Sequence, residues 1–437
     1  MEGIITSFEF PFAFRTVVLV AICAWASLLS HMGISNFNDG ARPVFPEFTQ
    51  GRMSRTEFAV VITGMGFGWV LAGFSQWLGT GLIACHLTLI ACDCLGAWSP
   101  NKYMALGIGA AYGLLCAFGT NAINAAFQAL PYNFLSDLTN ISGPTLPIFC
   151  AFPAVAIAGQ FDAKKGILTG VIEAIVYMVC TIVGKVTVGG VSVSLFPYTF
   201  AMLVGMICLV VFSVKGREGE SVETDEEEEN LFSRNAARIK SNWLYLSIQG
   251  ALNALGIKIL AQAYQPYLLA PAVMSGDMTP FYLAMIGVII AFIPLIVSTA
   301  LATGVYQAVG LCTCMLAGAI APTWWLAPIF GFVVEFVEIQ LIGLLGKLLA
   351  KFPELSKSGD HIRGAMNATI SLALTIGAFM AANAIWGGTG MMIVGAFYTI
   401  NEVAGQRIPK TAVGPIAAVV VGILYNIVVF LGFIKLG

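Results

Sequence analysis

Charge is scarce in this sequence: 21 Lys and Arg with 23 Asp and Glu make up 10% of 437 residues, against about a quarter in a soluble domain. Histidine is scarcer still, with three residues, and no basic stripe interrupts the chain. Nucleic-acid binding, which needs clustered cations, is therefore excluded as an expectation. The net charge of −2 says little about other partners. Also missing are the His-Glu-x-x-His, Gly-x-Ser-x-Gly and Gly-x-x-x-x-Gly-Lys patterns of common hydrolases and nucleotide-binding proteins. Ten cysteines are present, but Cys85, Cys92, Cys94, Cys116, Cys180, Cys208, Cys312 and Cys314 all fall in apolar runs and read as small packing residues. The Cys92/Cys94 and Cys312/Cys314 pairs would point to roughly opposite sides of a helix, at about 100° per residue. Neither a metal nor any other cofactor is expected.

What is abundant is hydrophobic sequence, 58% of the chain, in runs long enough to cross a bilayer at about 20 residues each. The fold class is an all-α polytopic membrane protein. Spans are expected at 12–34, 57–79, 80–98, 103–121, 143–161, 165–187 and 196–214, then at 243–263, 280–301, 303–321, 324–347, 363–385, 387–404 and 412–434, or seven and seven. The first is preceded by Glu2 and Glu9 and followed by Arg42, Arg52 and Arg55, the reverse of a signal peptide's charge order. It reads as a retained span with its N-terminus outside. With that orientation, every Lys and Arg except Arg15, Lys185, Lys258 and Lys435 falls on the cytoplasmic side, as the positive-inside rule requires.

Between the two sets of spans lies Val214 to Asn242, in which Glu223 to Glu229 is nearly all carboxylate. Such a composition reads as a solvated linker. The expected organisation is a first membrane repeat over 1–213, an acidic cytoplasmic linker over 214–242 and a second repeat over 243–437. Because seven is odd, the second repeat would enter the membrane inverted. An offset of 223 pairs Thr56 with Thr279, Phe58 with Phe281, Gly64 with Gly287, Thr80 with Thr303 and Gly81 with Gly304. Inverted repeats place transport sites near the midplane, where paired helices are broken. The paired breaks are Gly79-Thr80-Gly81 and the run Ser298 to Gly304, with Pro294 upstream. Full helices and re-entrant hairpins remain alternatives at 57–98 and 280–321.

Charged side chains at depth cost about 2.5–3.5 kcal/mol each on insertion scales and need a partner or a task. Glu335 and Glu338, three residues apart on one helical face, suit proton or cation coupling; structural pairing, for instance with Lys258, is the alternative. Asp93 is a second candidate, near enough to a span end to be solvated, and Glu173 and His86 follow. Asn121, Asn124 and Gln128 share a helical face that could bind a hydroxylated ligand or hold helices together. In the second half Asn367, Thr369 and Ser371 open one span, and Asn401-Glu402 closes the next. Asp39 and Arg42, in the first cytoplasmic loop, are candidate gate residues or a capped turn.

These strings together resemble the YhfT family of bacterial inner-membrane proteins, regarded as candidate transporters. The resemblance is carried by Asn38-Asp39-Gly40-Ala41-Arg42-Pro43, Ser298 to Tyr306, Glu338 with Gly346-Lys347, Asp360 to Arg363 with Ala365-Met366-Asn367, and Asn401-Glu402. It runs nearly end to end and departs in the acidic tract. It implies a transporter without supplying a substrate. A seven-plus-seven inverted repeat also looks like the nucleobase and anion carriers, in which broken third and tenth spans meet at the substrate and dimers move by an elevator motion. Their termini lie on the opposite side from those read here.

The expectation is a homodimeric secondary transporter of a small polar metabolite, driven by H⁺ or Na⁺. Thr80, Asn124, Ser298, Thr299, Thr303 and Asn367 would bind substrate, Glu338 with Glu335 or Asp93 the coupling ion, and Asp39, Arg42, Asn401 and Glu402 would form gates. Alternatives are a sugar permease component resembling a phosphotransferase-system translocating subunit, a membrane-embedded enzyme and a structural membrane protein.

Overall fold

The structure, a computed structural model, describes residues 10–38, 41–42, 44–49, 51–141, 143–188, 191–195, 197–215, 231–264, 266–279, 281–283, 285–286, 288–289, 300–301, 303–306, 308–349, 353–408 and 410–434. The apolar runs fold as helices. The first half holds α1 (Phe12–His31), α2 (Arg55–Thr80), α3 (Ala91–Trp98), α4 (Lys102–Gln128), α5 (Phe152–Gln160), α6 (Ala163–Val183) and α7 (Pro197–Lys215). The second holds α8 (Leu231–Ser241), α9 (Trp243–Leu260), α10 (Pro266–Ser275), α11 (Ala308–Ile320), α12 (Ala327–Leu349), α13 (Pro353–Val403) and α14 (Lys410–Phe430). Between α6 and α7 runs one antiparallel hairpin, β1 (Lys185–Val188) with β2 (Val191–Ser194), in the register Lys185 to Ser194.

Local chemistry sets the helix ends. Ser54 and Glu57 form a reciprocal capping box that starts α2, Asn101 accepts from the Tyr103 and Met104 N–H groups at the start of α4, and Asp162 accepts from Lys165 N at 2.8 Å at the start of α6. These side chains satisfy N–H groups that have no partner within the helix. That backbone bond, with the Lys165 ammonium 3.0 Å away, holds the Asp162 carboxyl below its usual range. In α13 the backbone leaves helical geometry at Trp386 and Gly387, and the chain turns back on itself. Tyr398 Oη donates to Thr375 Oγ1 at 2.9 Å and the Phe379 and Tyr398 rings stack, so 353–385 and 388–403 are antiparallel arms.

Among the described residues, six helical stretches are long and apolar enough to cross a membrane: Phe12–His31, Lys102–Gly119, Ala163–Val183, Ala327–Lys347, Ser371–Val403 and Val413–Phe430. Shorter apolar helices cover His86–Trp98, Pro147–Gln160, Phe200–Ser213 and Gly310–Ile320. Their polarity is inside-out. On α6, Ile167, Val171, Ile175 and Ile182 are exposed while Thr169 and Glu173 are buried; on α12, Val333, Val337, Leu341 and Leu344 are exposed while Glu335 is buried. A soluble helix does the opposite. Apolar outer faces and a polar interior stripe suit a lipid surround.

The halves share one core, with Ile22, Phe58 and Leu82 continuous with Phe281, Tyr306 and Ile339. The expected linker departs from its composition. Residues 216–230, including the carboxylate run, lie outside the described residues, but 231–241 forms α8, with Phe232, Ala236 and Ile239 buried. Its apolar residues recur at helical spacing and face α12, so this end of the stretch is docked rather than solvated.

Candidate functional site

Two helix breaks share one local code. At the first, α2 ends at Thr80 because Gly81 takes φ 72°, a left-handed geometry that a Cβ disfavours. Gly81 N still donates to Trp77 O at 2.8 Å, and Leu82 N turns to Thr80 Oγ1 at 3.2 Å. At the second, Gly304 again has φ 72°, its N–H reaches Ala300 O at 2.7 Å, and Val305 N donates to Thr303 Oγ1 at 3.3 Å. Each Thr-Gly pair thus ends a helix and caps the backbone that leaves it.

The freed backbone then pairs with the opposite half. Ala84 forms a parallel bridge with Ala263, just past α9, through Cys85 N to Ala263 O and Ala263 N to Ile83 O, both 3.0 Å. Tyr306 forms one with Ser35, just past α1, through Asn36 N to Tyr306 O at 3.2 Å and Tyr306 N to Ile34 O at 3.3 Å. After the first break the chain resumes as a π-helical turn, His86–Ile90, leading into α3. This short segment, 13 residues over His86–Trp98, is about 20 Å long, less than the hydrocarbon thickness.

The breaks lie near opposite ends of α1. Gly81 and Ile83 line a cavity of about 230 Å³ with Arg15, Thr16, Trp77 and Thr88, at the start of α1. Gly304 instead lies beside Gly33, past its end: Arg238 of α8 donates from Nη2 to Gly33 O at 2.9 Å and from Nη1 to Gly304 O at 3.4 Å, while Asn235 Nδ2 donates to Leu301 O at 2.8 Å. A helix of 20 residues is about 30 Å long, so the structure does not bring Thr80 and Thr303 together.

The second break is joined to the carboxylate pair. Tyr306 Oη donates to Glu338 Oε1, and Thr313 Oγ1 lies 2.7 Å from Glu338 Oε2. One residue on, Cys314 Sγ lies 3.1 Å from Glu335 Oε2. Cys314 is therefore a hydrogen-bonding residue as well as a packing one. Glu335 is wholly buried, and Oε1 has no hydrogen-bond partner. It fits because Gly310 lacks a side chain: a Cβ there would overlap both carboxyl oxygens. Lys258 serves elsewhere, donating to Ala321 O at 2.7 Å.

Asp93 sits in a different polar group. It is fully buried rather than solvated, because α3 packs its start against the loop after α1. Asp93 Oδ2 accepts from Phe37 N at 2.8 Å and Asn38 N at 3.1 Å. Arg42, also buried, donates from Nε to Asn36 O at 3.4 Å. Both charges therefore hold the segment that bridges to Tyr306. Asn401 pairs with both backbone groups of Ile408, at 2.8 and 2.9 Å, which shapes a turn. Glu402 is exposed and meets Gln406 and Lys410. Asp39, Ser298 and Thr299, and the side chains of Asn124 and Asn367, lie outside the described residues.

Sequence reasoning missed Thr313, Cys314, Asn235 and Arg238. The last two had a signal: they lie three apart on a short segment whose Phe232, Ala236 and Ile239 recur at helical spacing. Among the described residues no group of three or more His, Cys, Asp or Glu could hold a metal ion.

Helices that turn apolar faces outward and bury carboxylates beside broken backbone define a protein of membrane character. The family model described as "YhfT: Protein of unknown function" matches residues 15–434, and the chain belongs to that family. It is similar to the "Uncharacterized protein YhfT" of Escherichia coli (strain K12), with 31% identity over 432 residues, 96% of this chain and 98% of the relative. No solved structure matches the chain.

Proposed function

We propose that this protein is a secondary active transporter of a small polar metabolite in the bacterial inner membrane, coupled to H⁺ or Na⁺ and working by alternating access. In this reading fourteen spans form a seven-plus-seven inverted repeat, and a homodimer supports an elevator-like motion of the elements that carry the breaks. It acts as a carrier and performs no chemistry on its substrate. The observation that supports the reading best is the reciprocity of the breaks: Thr80-Gly81 and Thr303-Gly304 have the same geometry, and each is followed by a parallel bridge to the other half, to the segment just past α9 and just past α1 respectively. Inverted-repeat transporters place discontinuous helices at corresponding positions of their halves. The cavity beside Gly81, at about 230 Å³, has room for a small metabolite, and Arg15, Thr16 and Thr88 give it polar contacts.

The test is thermal stability of the purified protein against a metabolite library, with and without Na⁺ and at two pH values, for wild type and Glu338→Gln. A ligand at 100 times its Kd adds about 2.7 kcal/mol, enough to detect. A hit whose ion dependence disappears in the variant supports a coupled carrier. A hit that persists unchanged removes Glu338 from coupling, and no hit in either protein counts against transport.

A further inference from the structure

We propose that the coupling ion is the proton, bound by Glu338 and Glu335, and that Thr313 and Cys314 make the pair selective for it by turning their own hydrogens between carboxyl and backbone. This rests on the carrier reading for its role in transport, although the binding itself does not need it. A hydroxyl has one hydrogen to donate and can also accept. Thr313 Oγ1 stands between two acceptors, Glu338 Oε2 at 2.7 Å and Gly310 O at 3.2 Å. With Glu338 ionised, Thr313 donates to it. With Glu338 protonated on Oε2, the new O–H donates to Thr313 Oγ1, and the threonine hydrogen turns to Gly310 O. Every group stays paired in both states, and the only atom gained or lost is the proton.

Cys314 repeats the arrangement one residue later. Its Sγ lies 3.1 Å from Glu335 Oε2 and 3.3 Å from Gly331 O, so the thiol hydrogen also has a backbone acceptor when the carboxyl becomes a donor. The second observation is Glu335 Oε1, an oxygen of a wholly buried side chain with no partner. An uncompensated charge there is costly, and a proton removes it.

Among the described residues, the surroundings supply no cation. On α8, Arg238 is committed to Gly33 and Gly304, and Arg234 and Lys240 are exposed. On α9, Lys258 caps the carbonyls that end α11, and α11 itself bears no charge. Lys347 on α12 is exposed and two turns beyond Glu338. Neither glutamate has a cationic partner among the described residues. Na⁺ is a poorer fit, because a hard cation needs several converging oxygens. Among the described residues, the two hydroxyls at Glu338 are already turned to the carboxyl, Gly310 O and Gly331 O are the acceptors that the Thr313 and Cys314 hydrogens use, and beside Glu335 stands a thiol, a soft ligand.

The experiment is infrared difference spectroscopy of purified protein during a pH titration, with Na⁺ or K⁺ as the only salt cation. Bands of protonated carboxyl groups should appear on acidification, lose one component in Glu338→Gln and another in Glu335→Gln, and be indifferent to the cation. Thr313→Val removes the donor to ionised Glu338 and should move that component's midpoint to higher pH, raising proton affinity about tenfold or more. Thr313→Ser, which keeps the hydroxyl, should restore it, so the inference stays testable if the glutamine variants fail to fold. Na⁺ depleting the bands at constant pH, or Val and Ser titrating alike, would overturn it. No substrate is needed, so failure here leaves the carrier reading standing with Na⁺, and failed uptake leaves the protonation result standing.

Discussion

Arg238 is the side chain whose loss should be felt in both halves. Its guanidinium joins the backbone just past α1, through Gly33 O at 2.9 Å, to the second break, through Gly304 O at 3.4 Å. Between those carbonyls lies the bridge of Ser35 with Tyr306. A hydrogen bond from a charged donor is worth about 1.5–3 kcal/mol, and the longer one less. Arg238→Ala should therefore cost about 2–4 kcal/mol, since it also leaves two carbonyls without their donor. Arg238→Lys should recover only part of this, because an ammonium is a point charge and cannot span two separated acceptors as a planar fork does. Hydrogen exchange in detergent gives the direct measurement. The amides of Asn36 and Tyr306, which make the bridge, should exchange about 30–1,000-fold faster in Arg238→Ala, with Lys intermediate. Unchanged exchange at both amides, with an unchanged melting temperature, would refute the clamp and with it the docked role of α8.

Asp93→Ala leaves the buried Phe37 and Asn38 N–H groups without their acceptor, at about 1–3 kcal/mol each; a lower melting temperature with faster exchange confined first to those two amides is expected, whereas loss of ion dependence with no stability change would assign Asp93 to coupling instead. Asp162 offers a pH test outside the spans. Its carboxyl is held below the usual range by the Lys165 N–H and ammonium, so its contribution is present above the ordinary aspartate range and is lost as pH falls through the lowered value. The melting-temperature difference between wild type and Asp162→Ala should therefore shrink on acidification, and a difference that grows would contradict the capping geometry.

The breaks were legible in the sequence because glycine beside threonine is a local signal, and the left-handed backbone at Gly81 and Gly304 is a local property. The partners of those breaks were not. Ser35 with Tyr306 and Ala84 with Ala263 are backbone pairings between distant segments, and the side chains concerned carry no pattern that names a partner. For the same reason Thr80 and Thr303 looked like one site by analogy, although the structure sets them near opposite ends of α1. Composition also misleads when its window is wide. Averaged over 214–242, the carboxylates conceal Phe232, Ala236 and Ile239 at helical spacing, and with them the docking of α8.

The glutamates teach the complementary lesson. Their spacing of three placed Glu335 and Glu338 on one face without any structure, since charge at depth is conspicuous. Their hydrogen-bond partners lie on another helix, in Thr313 and Cys314, residue types common enough in apolar spans to read as packing. Tyr306, at the break, then ties Glu338 to the backbone paired with Ser35. A change in the protonation of Glu338 would act on a hydroxyl donor one residue from that broken turn, whereas Asp93 and Arg42 hold the other strand of the same bridge. In the carrier reading, proton binding and the geometry of the second break would thus be joined through Tyr306. Tyr306→Phe should separate them: the protonated-carboxyl band of Glu338 persists, with its midpoint moved to higher pH by the lost donor, while the bridge no longer responds to pH.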